Sequence, residues 1–490
     1  MNPSLKSPLV TALQTVIAVV AAIVGLEVLV LVPAAILSKL EVASGAVTIG
    51  VSVALAVAGL AAVIFILRRL PRAVVGFLTT APAGRFNGAL LAIAVGLVLR
   101  IAVMIVSQVA PQSDAKVYTE AAALLAQGKP FFIAHRWAYW PIGYPAMLSV
   151  WFRMGGGSVF GVHLLNLLLF VALSLGVWRL CKAIAQPAAG RVAIWIVALW
   201  PDLVALSSWP SKELVVLALL PWCVALAIEP VTTMRATLVR RVVAGVLGGL
   251  AILVQPSFIL LVPVVPVFAW LARTQSPRAA FATAAVLILT SVAVIAPWTM
   301  RNYRVLGAFV PVATNGGEVL YRANNPLATG DYIKVGEVDL WTLPELEANT
   351  QGAALAKQWI AAHPKEFLVL AGKKQAFFLE DDAIGVYEVF NRGHVGDPVP
   401  TSIYFLLKAA CNAFWWLLWA VLAASLVLTW RDREQRGPAL VALLPFLYLY
   451  GVHSIAESGP RYHQPGDAFI AVCAAVLLVL AVNRRAPAPG

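Results

Sequence analysis

Residues 87–120 read NGALLAIAVGLVLRIAVMIVSQVAPQSDAKVYTE. The first part, residues 88–106, is apolar apart from Arg100. A run of about 18 or more mostly apolar residues is typical of a transmembrane helix, because a helix of that length crosses the hydrocarbon core of a bilayer. The run gives way to a polar segment that carries an acid, Asp114, just past the predicted helix. This stretch therefore predicts a membrane-spanning helix with a candidate functional residue at its exit.

The same apolar pattern recurs along the whole chain, in which 61% of the 490 residues are hydrophobic and only 12% are charged. Soluble domains usually carry about 25% charged residues. We predict an all-α polytopic membrane protein with about twelve transmembrane helices. The first apolar run is too long for a signal-peptide core and has no obvious cleavage site, so we expect a retained helix. The predicted spans cover residues 11–37, 46–67, 87–109, 158–180, 191–207, 212–229, 240–255, 257–272, 279–298, 402–430, 439–455 and 466–483.

The Lys and Arg residues between the predicted spans are unevenly distributed. Eighteen lie in one set of short loops and termini, and three lie in the opposite set. Positive residues favour the cytoplasmic side of a membrane. We therefore predict that both termini are cytoplasmic, and that two long segments, residues 110–157 and 301–401, are extracytoplasmic.

These two long outer segments are predicted to be ordered, because both contain aromatic residues, apolar residues and turn signals. Amphipathic patterns predict short helices near residues 144–152 and 360–379. The predicted organisation is a transmembrane module in residues 1–300, which includes the first outer segment, then an outer region in 301–401, and C-terminal transmembrane helices in 402–490.

Charge and cysteine content exclude several classes of function. The net charge is +13, but the positive residues form short clusters without a basic stripe, so no nucleic-acid partner is expected. The cysteines lie inside or at the ends of apolar runs, and no pair has zinc-ligand spacing, so neither a disulfide framework nor a cysteine-bound zinc site is expected. The acidic residues 380–382 are predicted to form a solvated loop. We expect no metal and no cofactor.

Asp114 has two interpretations from its position alone. It stands just before an amphipathic stretch, where a carboxylate commonly caps a helix by accepting backbone N–H bonds. A carboxylate at the membrane surface is also suited to accept a proton from an attacking hydroxyl as a general base. The two roles are compatible with each other.

The first outer segment continues with an aromatic-rich stretch, HRWAYWPIGYP, in residues 135–145. Trp and Tyr commonly form belts at membrane interfaces. They also stack on sugar rings, and Arg136 within this stretch has the forked guanidinium that binds phosphate. The stretch predicts either an interfacial anchor or a sugar-binding platform.

Other charged residues lie in or near short outer turns. Lys212 and Glu213 form either an interfacial ion pair or part of a cavity wall, and Asp202 lies close by in the sequence. Within apolar runs, Glu27 and Arg100 are candidates for a structural pair.

Cations on the outer side break the charge rule and suggest an anionic partner. Arg301 and Arg304 open the second outer segment, where they are suited to a lipid headgroup or a lipid-linked phosphate. In the last outer loop, Arg461 is the only Lys or Arg. Either a salt bridge to Glu457 or a phosphate contact would account for it.

Four motifs in this order resemble the GT-C superfamily of polytopic membrane glycosyltransferases, and within it the bacterial family 39 type with its protein mannosyltransferase and aminoarabinose transferase relatives. Together they cover most of the chain from Asp114 onward. They are Asp114 and Tyr118 with Gly128-Lys129-Pro130; Pro141-Ile142-Gly143-Tyr144-Pro145; Pro297-Trp298-Thr299-Met300-Arg301-Asn302-Tyr303 with Thr314-Asn315-Gly316-Gly317 and Asn324-Asn325-Pro326; and Pro460-Arg461-Tyr462.

This resemblance implies a GT-C-like fold in a bacterial inner membrane, with an active site on the extracytoplasmic side. It implies transfer of a hexose or pentose from a polyprenyl-phosphate donor to a glycan, lipid or protein acceptor, without a metal. Asp114 would be the general base. The residues expected to bind substrate are Arg461, Arg301, Glu213, Tyr118, Arg136 and Tyr462.

Two positions depart from the family pattern. Many relatives have an Asp-Glu pair in the first outer loop, but Ala115 follows Asp114 here. Many have an arginine before the proline that corresponds to Pro256, where this chain has Gln255. The alternatives are a polytopic transporter, a lipid-carrier ligase or polymerase of the cell envelope, and a non-catalytic relative.

Overall fold

The computed structural model describes residues 8–34, 45–71, 74–76, 87–230, 233–334 and 336–484. Within these residues the chain is helical, with no β-strand and only two isolated β-bridges. The all-α prediction is therefore confirmed. Residues 35–37 of the first predicted span, and some of the charges that set the predicted orientation, lie outside the described residues.

Many of the helices are connected by short turns, some of them 3-10 or π in geometry, whereas longer connections such as 127–142 lie in the outer segments. In chain order they are α1 (Pro8–Leu26), α2 (Gly45–Arg69), α3 (Asn87–Val106), α4 (Ser113–Ala126), α5 (Gly143–Trp151), α6 (Val159–Ala183), α7 (Pro187–Leu199), α8 (Pro201–Leu206), α9 (Lys212–Ile228), α10 (Met234–Val254), α11 (Leu261–Leu271), α12 (Pro277–Leu306), α13 (Gly316–Ala323), α14 (Glu345–Ala362), α15 (Pro364–Leu379), α16 (Ile384–Tyr387), α17 (Thr401–Leu428), α18 (Arg433–Ala442), α19 (Leu444–Ile455) and α20 (Asp467–Asn483).

Eight helices among the described residues are long and apolar enough to cross a membrane, or nine if the bent pair α18 and α19 forms one span. They make the chain a multi-pass membrane protein. The predicted count of twelve is not confirmed. Two more apolar helices, α7 and α11, are shorter than the spanning helices.

Prolines account for much of this difference in count. The predicted span 191–207 is divided into α7 and α8 at Trp200, whose ψ of 110° is extended because a residue before proline is disfavoured in the helical region. Pro256 begins a 3-10 turn, so the predicted span 257–272 is a regular helix only from Leu261. The predicted span 439–455 is bent by 41° between α18 and α19.

Helix α20 forms the centre of the bundle. Almost all of its side chains are buried, and it packs against α6, α7, α17 and α18. Its alanines, among them Ala471, Ala474 and Ala475, allow neighbouring backbones to approach closely. A helix that is apolar on every side is the kind that occupies an interior position.

The first outer segment contains α4 and α5, and α5 corresponds to the helix predicted near 144–152. Gly143, its first residue, lies against the end of α10: a Cβ there would come within 2.5 Å of main-chain atoms of Leu253 and Val254. The Pro141 to Pro145 motif therefore serves close packing. The predicted helix near 360–379 is divided in the structure, because α14 ends at Ala362 and Pro364 begins α15.

The two outer segments are held together by hydrogen bonds to main-chain atoms. The Glu345 carboxylate accepts from the backbone N–H groups of Trp137 (2.6 Å) and Ala138 (2.8 Å). Arg301 donates to the carbonyls of Trp137 (2.6 Å) and Phe131 (2.7 Å). These contacts join the two segments into one layer over one end of the helices.

The predicted pairing of Glu27 with Arg100 is wrong. Arg100 is buried and donates to the carbonyls of Gly96, Val197 and Ala198, each at 3.1 Å. Glu27 accepts a hydrogen bond from the Tyr450 hydroxyl instead, at 2.5 Å. Arg100 thus has backbone carbonyls as partners, which become available where α7 ends.

Candidate active site

An open cleft lies where α4 and α9 begin and where the 3-10 turn Pro460–Tyr462 leads towards α20. The empty space in it, counted together with the open solvent at its mouth, is about 450 Å³. Helix N-termini carry partial positive charge, which favours anions at this position. Three acidic and three cationic side chains line the cleft, so their formal charges cancel. They are Asp114, Glu213, Glu388, Lys212, Arg392 and Arg461.

An ion pair between Asp114 and Arg461 is the central contact of this cleft. The Arg461 Nη1 donates to the Asp114 Oδ2 at 2.9 Å, and the other terminal nitrogen donates to the Tyr462 hydroxyl at 3.1 Å. The Asp114 and Arg461 side chains remain 38% and 34% exposed, so both are accessible from the cleft. The structure therefore brings together three of the residues predicted for the site.

One of the two interpretations of Asp114 was that it caps its helix, and the structure does not support it. The residue at the cap position of α4 is Gln112, no side chain caps this helix, and Asp114 lies in the first turn with its carboxylate on Arg461. The preceding residue, Ser113, has a φ of 51°, in the left-handed region that non-glycine residues rarely occupy. Strained backbone of this kind is concentrated at functional sites.

The electrostatic surroundings keep Asp114 ionised. Burial raises the pKa of its carboxyl, but attraction to Arg461 and then to Lys212 outweighs burial and leaves the pKa below its usual value. Burial raises the pKa of Glu388 on the same cleft, and Arg392 only partly offsets this. Two carboxyl groups in one cleft thus have pKa values moved in opposite directions, a pattern that separates acid from base roles in many enzymes.

Tyr118 and Glu213, two of the residues expected to bind substrate, line the same cleft. Tyr118 is buried against the edge of Tyr144, and the Lys212 Nζ lies 5.8 Å from its ring centre. Burial, with Asp114 and Glu213 nearby, raises the pKa of the Tyr118 hydroxyl well above its usual value, so it stays protonated. Ser211 caps α9, accepting from the Glu213 N–H and donating to its carboxylate at 2.8 Å.

Two residues of the cleft, Glu388 and Arg392, were not predicted from the sequence. They lie in a π-helical turn directly after α16 and form an ion pair at 2.8 Å. Their spacing of four residues is the one signal that was available, because it places opposite charges on one side of a helical turn. Their position in the cleft depends on how the second outer segment returns to the bundle.

Three predicted substrate-binding residues do not line this cleft: Tyr462, which nevertheless contacts Arg461, and the more distant Arg136 and Arg301. Arg136 is buried, donates to the Trp341 carbonyl at 2.8 Å and lies over the Trp341 ring. Arg301 is bound to first-segment carbonyls and lies over the rings of Trp137 and Trp298. Arg136 and Arg301 both lie in the contacts between the outer segments, and their phosphate roles stay predictions.

The aromatic stretch of the first outer segment packs largely on itself and on its neighbours. Tyr139 meets Trp140 and Trp341 edge to face, with ring centres 4.8 and 5.0 Å apart, and its hydroxyl donates to Glu318. The ring centres of Phe132 and Trp137 lie 4.4 Å apart. The rings therefore contribute to the packing of the outer layer.

The alternative salt bridge between Arg461 and Glu457 is wrong. Glu457 is paired with Arg322 at 3.2 Å, and Arg322 also binds Glu318. The predicted ion pair of Lys212 with Glu213 is not among the salt bridges of the described residues. Asp202 is fully buried, where it accepts from the Gly385 N–H and the Gln464 amide.

No known family model matches this chain, and neither does any curated protein. Among solved structures, the chain is similar to the oligosaccharyltransferase of Archaeoglobus fulgidus tethered with an acceptor peptide, at 13% identity and a TM-score of 0.48, over 81% of this chain and 50% of that one. It is also similar to ArnT from Cupriavidus metallidurans bound to undecaprenyl phosphate, at 13% identity and a TM-score of 0.41, over 82% of this chain and 78% of that one.

This chain thus spans half the length of the archaeal protein. Both proteins are GT-C glycosyltransferases, the superfamily that the sequence motifs resemble. At these values of identity and TM-score, neither likeness assigns a substrate or a residue role to this chain.

Proposed function

We propose that this protein transfers a sugar from a polyprenyl-phosphate donor to an extracytoplasmic acceptor, with Asp114 as the general base. The observation that carries the proposal is the ion pair of Asp114 with Arg461, accessible in a cleft where two helices begin. One member is suited to take a proton, and the other is suited to bind a phosphate. The order of the four sequence motifs supports the same reaction class.

In the proposed reaction, the acceptor oxygen attacks the anomeric carbon of the donor sugar. The acceptor proton passes to the Asp114 carboxylate, a bond forms between the acceptor oxygen and the anomeric carbon, and the bond from that carbon to the phosphate oxygen breaks. The electron pair of the broken bond leaves with the polyprenyl phosphate. Arg461 and Lys212 stabilise the charge on that leaving group.

Because Arg461 is paired with Asp114, binding of the donor phosphate to Arg461 would make Asp114 a stronger base. A phosphate that binds Arg461 shares the guanidinium with Asp114 and brings negative charge close to the carboxylate. Both effects raise the proton affinity of Asp114, since a nearby like charge disfavours the ionised form. The base therefore becomes stronger once the donor is bound.

The test is Asp114→Asn in the full chain, in membranes supplied with a radiolabelled polyprenyl-phosphate sugar. The amide keeps the shape of the side chain but removes its basicity, and we expect transfer to fall by about 10²–10⁴-fold. The matched control is Glu120→Gln, which makes the same change on the same helix at an exposed residue facing Lys116. Turnover in Asp114→Asn above about a tenth of the unmodified protein would contradict the assignment.

The acceptor is identified by a separate measurement. Deletion of the protein should leave one class of cell-envelope molecule, a glycolipid, a polysaccharide or a glycoprotein, lighter by the mass of one sugar. A change in chain length instead of a single-sugar shift would favour a ligase or polymerase. An accumulated substrate without any change in mass would favour a transporter.

A further inference from the structure

Beneath the cleft, three titratable side chains form a fully buried cluster that the proposed reaction does not use. Asp382, His463 and Asp467 are each 0% exposed, and each offers a ligand atom within 4.8 Å of the other two. They come from distant parts of the chain: Asp382 follows α15, and Asp467 begins α20. A solvated loop was predicted at residues 380–382, and for the buried Asp382 this prediction is wrong.

Both nitrogens of the His463 ring face oxygen atoms. The Nδ1 lies 3.0 Å from the Asp467 Oδ1, while the Nε2 lies 3.3 Å from the Asp381 carbonyl oxygen and 3.9 Å from the Asp382 Oδ1. A neutral imidazole has one N–H, which Asp467 accepts when the proton is on Nδ1. The lone pair of Nε2 then faces two oxygens, an arrangement that a cation between them would stabilise.

Two carboxylate oxygens of the cluster have no hydrogen-bond partner among the described residues. They are the Asp382 Oδ1 and the Asp467 Oδ2. The other oxygen of Asp382 accepts from the Trp200 indole at 2.7 Å, which fixes the direction of the free one. Buried polar atoms are nearly always partnered, and a buried carboxylate without a partner is costly.

We propose that Asp382 and His463 bind a divalent transition-metal ion, with the Asp381 carbonyl as a further ligand and Asp467 orienting the imidazole. Imidazole and carboxylate ligands suit ions of this class, such as Zn²⁺. Bonds of about 2.0–2.1 Å in a tetrahedron place ligand atoms about 3.4 Å apart, close to the 3.3 and 3.9 Å found around Nε2. A carboxylate on the far ring nitrogen is the common support of a metal-bound histidine.

The proposed ion would hold the turn at one side of the cleft in place. This structural role does not depend on the proposed sugar transfer. His463 follows Arg461 by two residues, and Gln464 lines the cleft while donating to the buried Asp202 at 2.7 Å. A metal that joins the start of α20 to the segment after α15 would fix the turn that carries Arg461. This departs from the expectation that the chain needs no metal.

The first test measures the metal content of the unmodified protein, purified in detergent, by elemental mass spectrometry. We expect about one transition-metal ion per chain, removed by a strong chelator and restored by Zn²⁺ alone. Chelation should lower the melting temperature, and Zn²⁺ but not Mg²⁺ should restore it. A metal-free protein whose melting temperature does not respond to Zn²⁺ would overturn the proposal and leave a protonated His463 as the counter-charge.

The second test locates the ion. Asp382→Asn and His463→Gln should each reduce the metal content to below about a tenth. The control is Asp381→Asn, which removes a neighbouring carboxylate that pairs with Lys408 and leaves the Asp381 carbonyl in place. Equal metal content in all three variants would place the ion elsewhere and overturn the assignment. Should a variant fail to fold, the measurement on the unmodified protein still decides.

Discussion

At the scale of single residues, the cleft depends on a contact between two side chains that are 347 positions apart. The sequence drew attention to each of them for a local reason. Asp114 is an acid at the exit of a predicted helix, and Arg461 is a cation in an outer loop that otherwise lacks Lys and Arg. Their pairing could not be predicted, because it depends on how α4 packs beside the turn that precedes α20.

Two replacements of Arg461 distinguish the contribution of its charge to donor binding from the contribution of its forked shape. In Arg461→Ala, loss of the phosphate contact should raise the donor KM, at a cost of about 1.5–3 kcal/mol in binding. Arg461→Lys should recover part of this, because lysine keeps the charge but not the forked geometry. Steady-state kinetics with varied donor measures both, and unchanged donor dependence in Arg461→Ala would remove the residue from the site.

The same two variants differ in the pH dependence of transfer. Arg461 lowers the pKa of Asp114 against the effect of burial, so its loss leaves burial less opposed and raises that pKa. Because the base must be ionised, the acid limb of the kcat/KM profile should move to higher pH in Arg461→Ala. It should stay near its original position in Arg461→Lys, and a limb that does not move in either variant would argue against Asp114 as the titrating group.

At the scale of helices, the sequence predicts a feature well when neighbouring residues determine it and poorly when contacts between distant segments determine it. Apolar runs located the long spans because each run is continuous, and the helix predicted near 144–152 was found as α5. The division at Trp200 and the bend between α18 and α19 were missed, although Pro201 offered a local signal for the first. The contacts of the outer segments could not be predicted, since they join distant parts of the chain.

Arg301 illustrates such a contact, and its replacement tests the role of α12 in holding the first outer segment. Arg301→Ala removes hydrogen bonds to two carbonyls of that segment, so we expect a loss of about 1–3 kcal/mol in stability. The donor KM should change little. Arg304→Ala is the control, because Arg304 is exposed on the same helix. A higher donor KM with an unchanged melting temperature would instead support the predicted phosphate role.

At the scale of the whole molecule, the two outer segments form one layer, and the cleft lies at the same end of the bundle as the start of α4. The charge asymmetry of the loops predicts that this end is extracytoplasmic. All four cysteines are buried, so single introduced cysteines can report on orientation without background labelling.

We expect cysteines at the exposed positions Gln127 and Thr350 to react with an impermeant thiol reagent in intact spheroplasts. Met234→Cys, at the 83% exposed first residue of α10, should react only after lysis, because that turn is predicted to be cytoplasmic. The reverse labelling pattern would invert the orientation and place the cleft inside the cell. Labelling of all three before lysis would indicate leaking membranes.

The central position of α20 has a consequence for biosynthesis. The ribosome produces the other nineteen helices of the described residues before it reaches this one, so the partially made bundle must enter the lipid bilayer without its innermost member. Its neighbours α6, α7 and α17 would meanwhile present to lipid, or to an insertion chaperone, the surfaces that later enclose α20. The ion pair of the cleft forms only when the turn before α20 has been made, so the candidate site stays incomplete in a nascent chain until the bundle is closed.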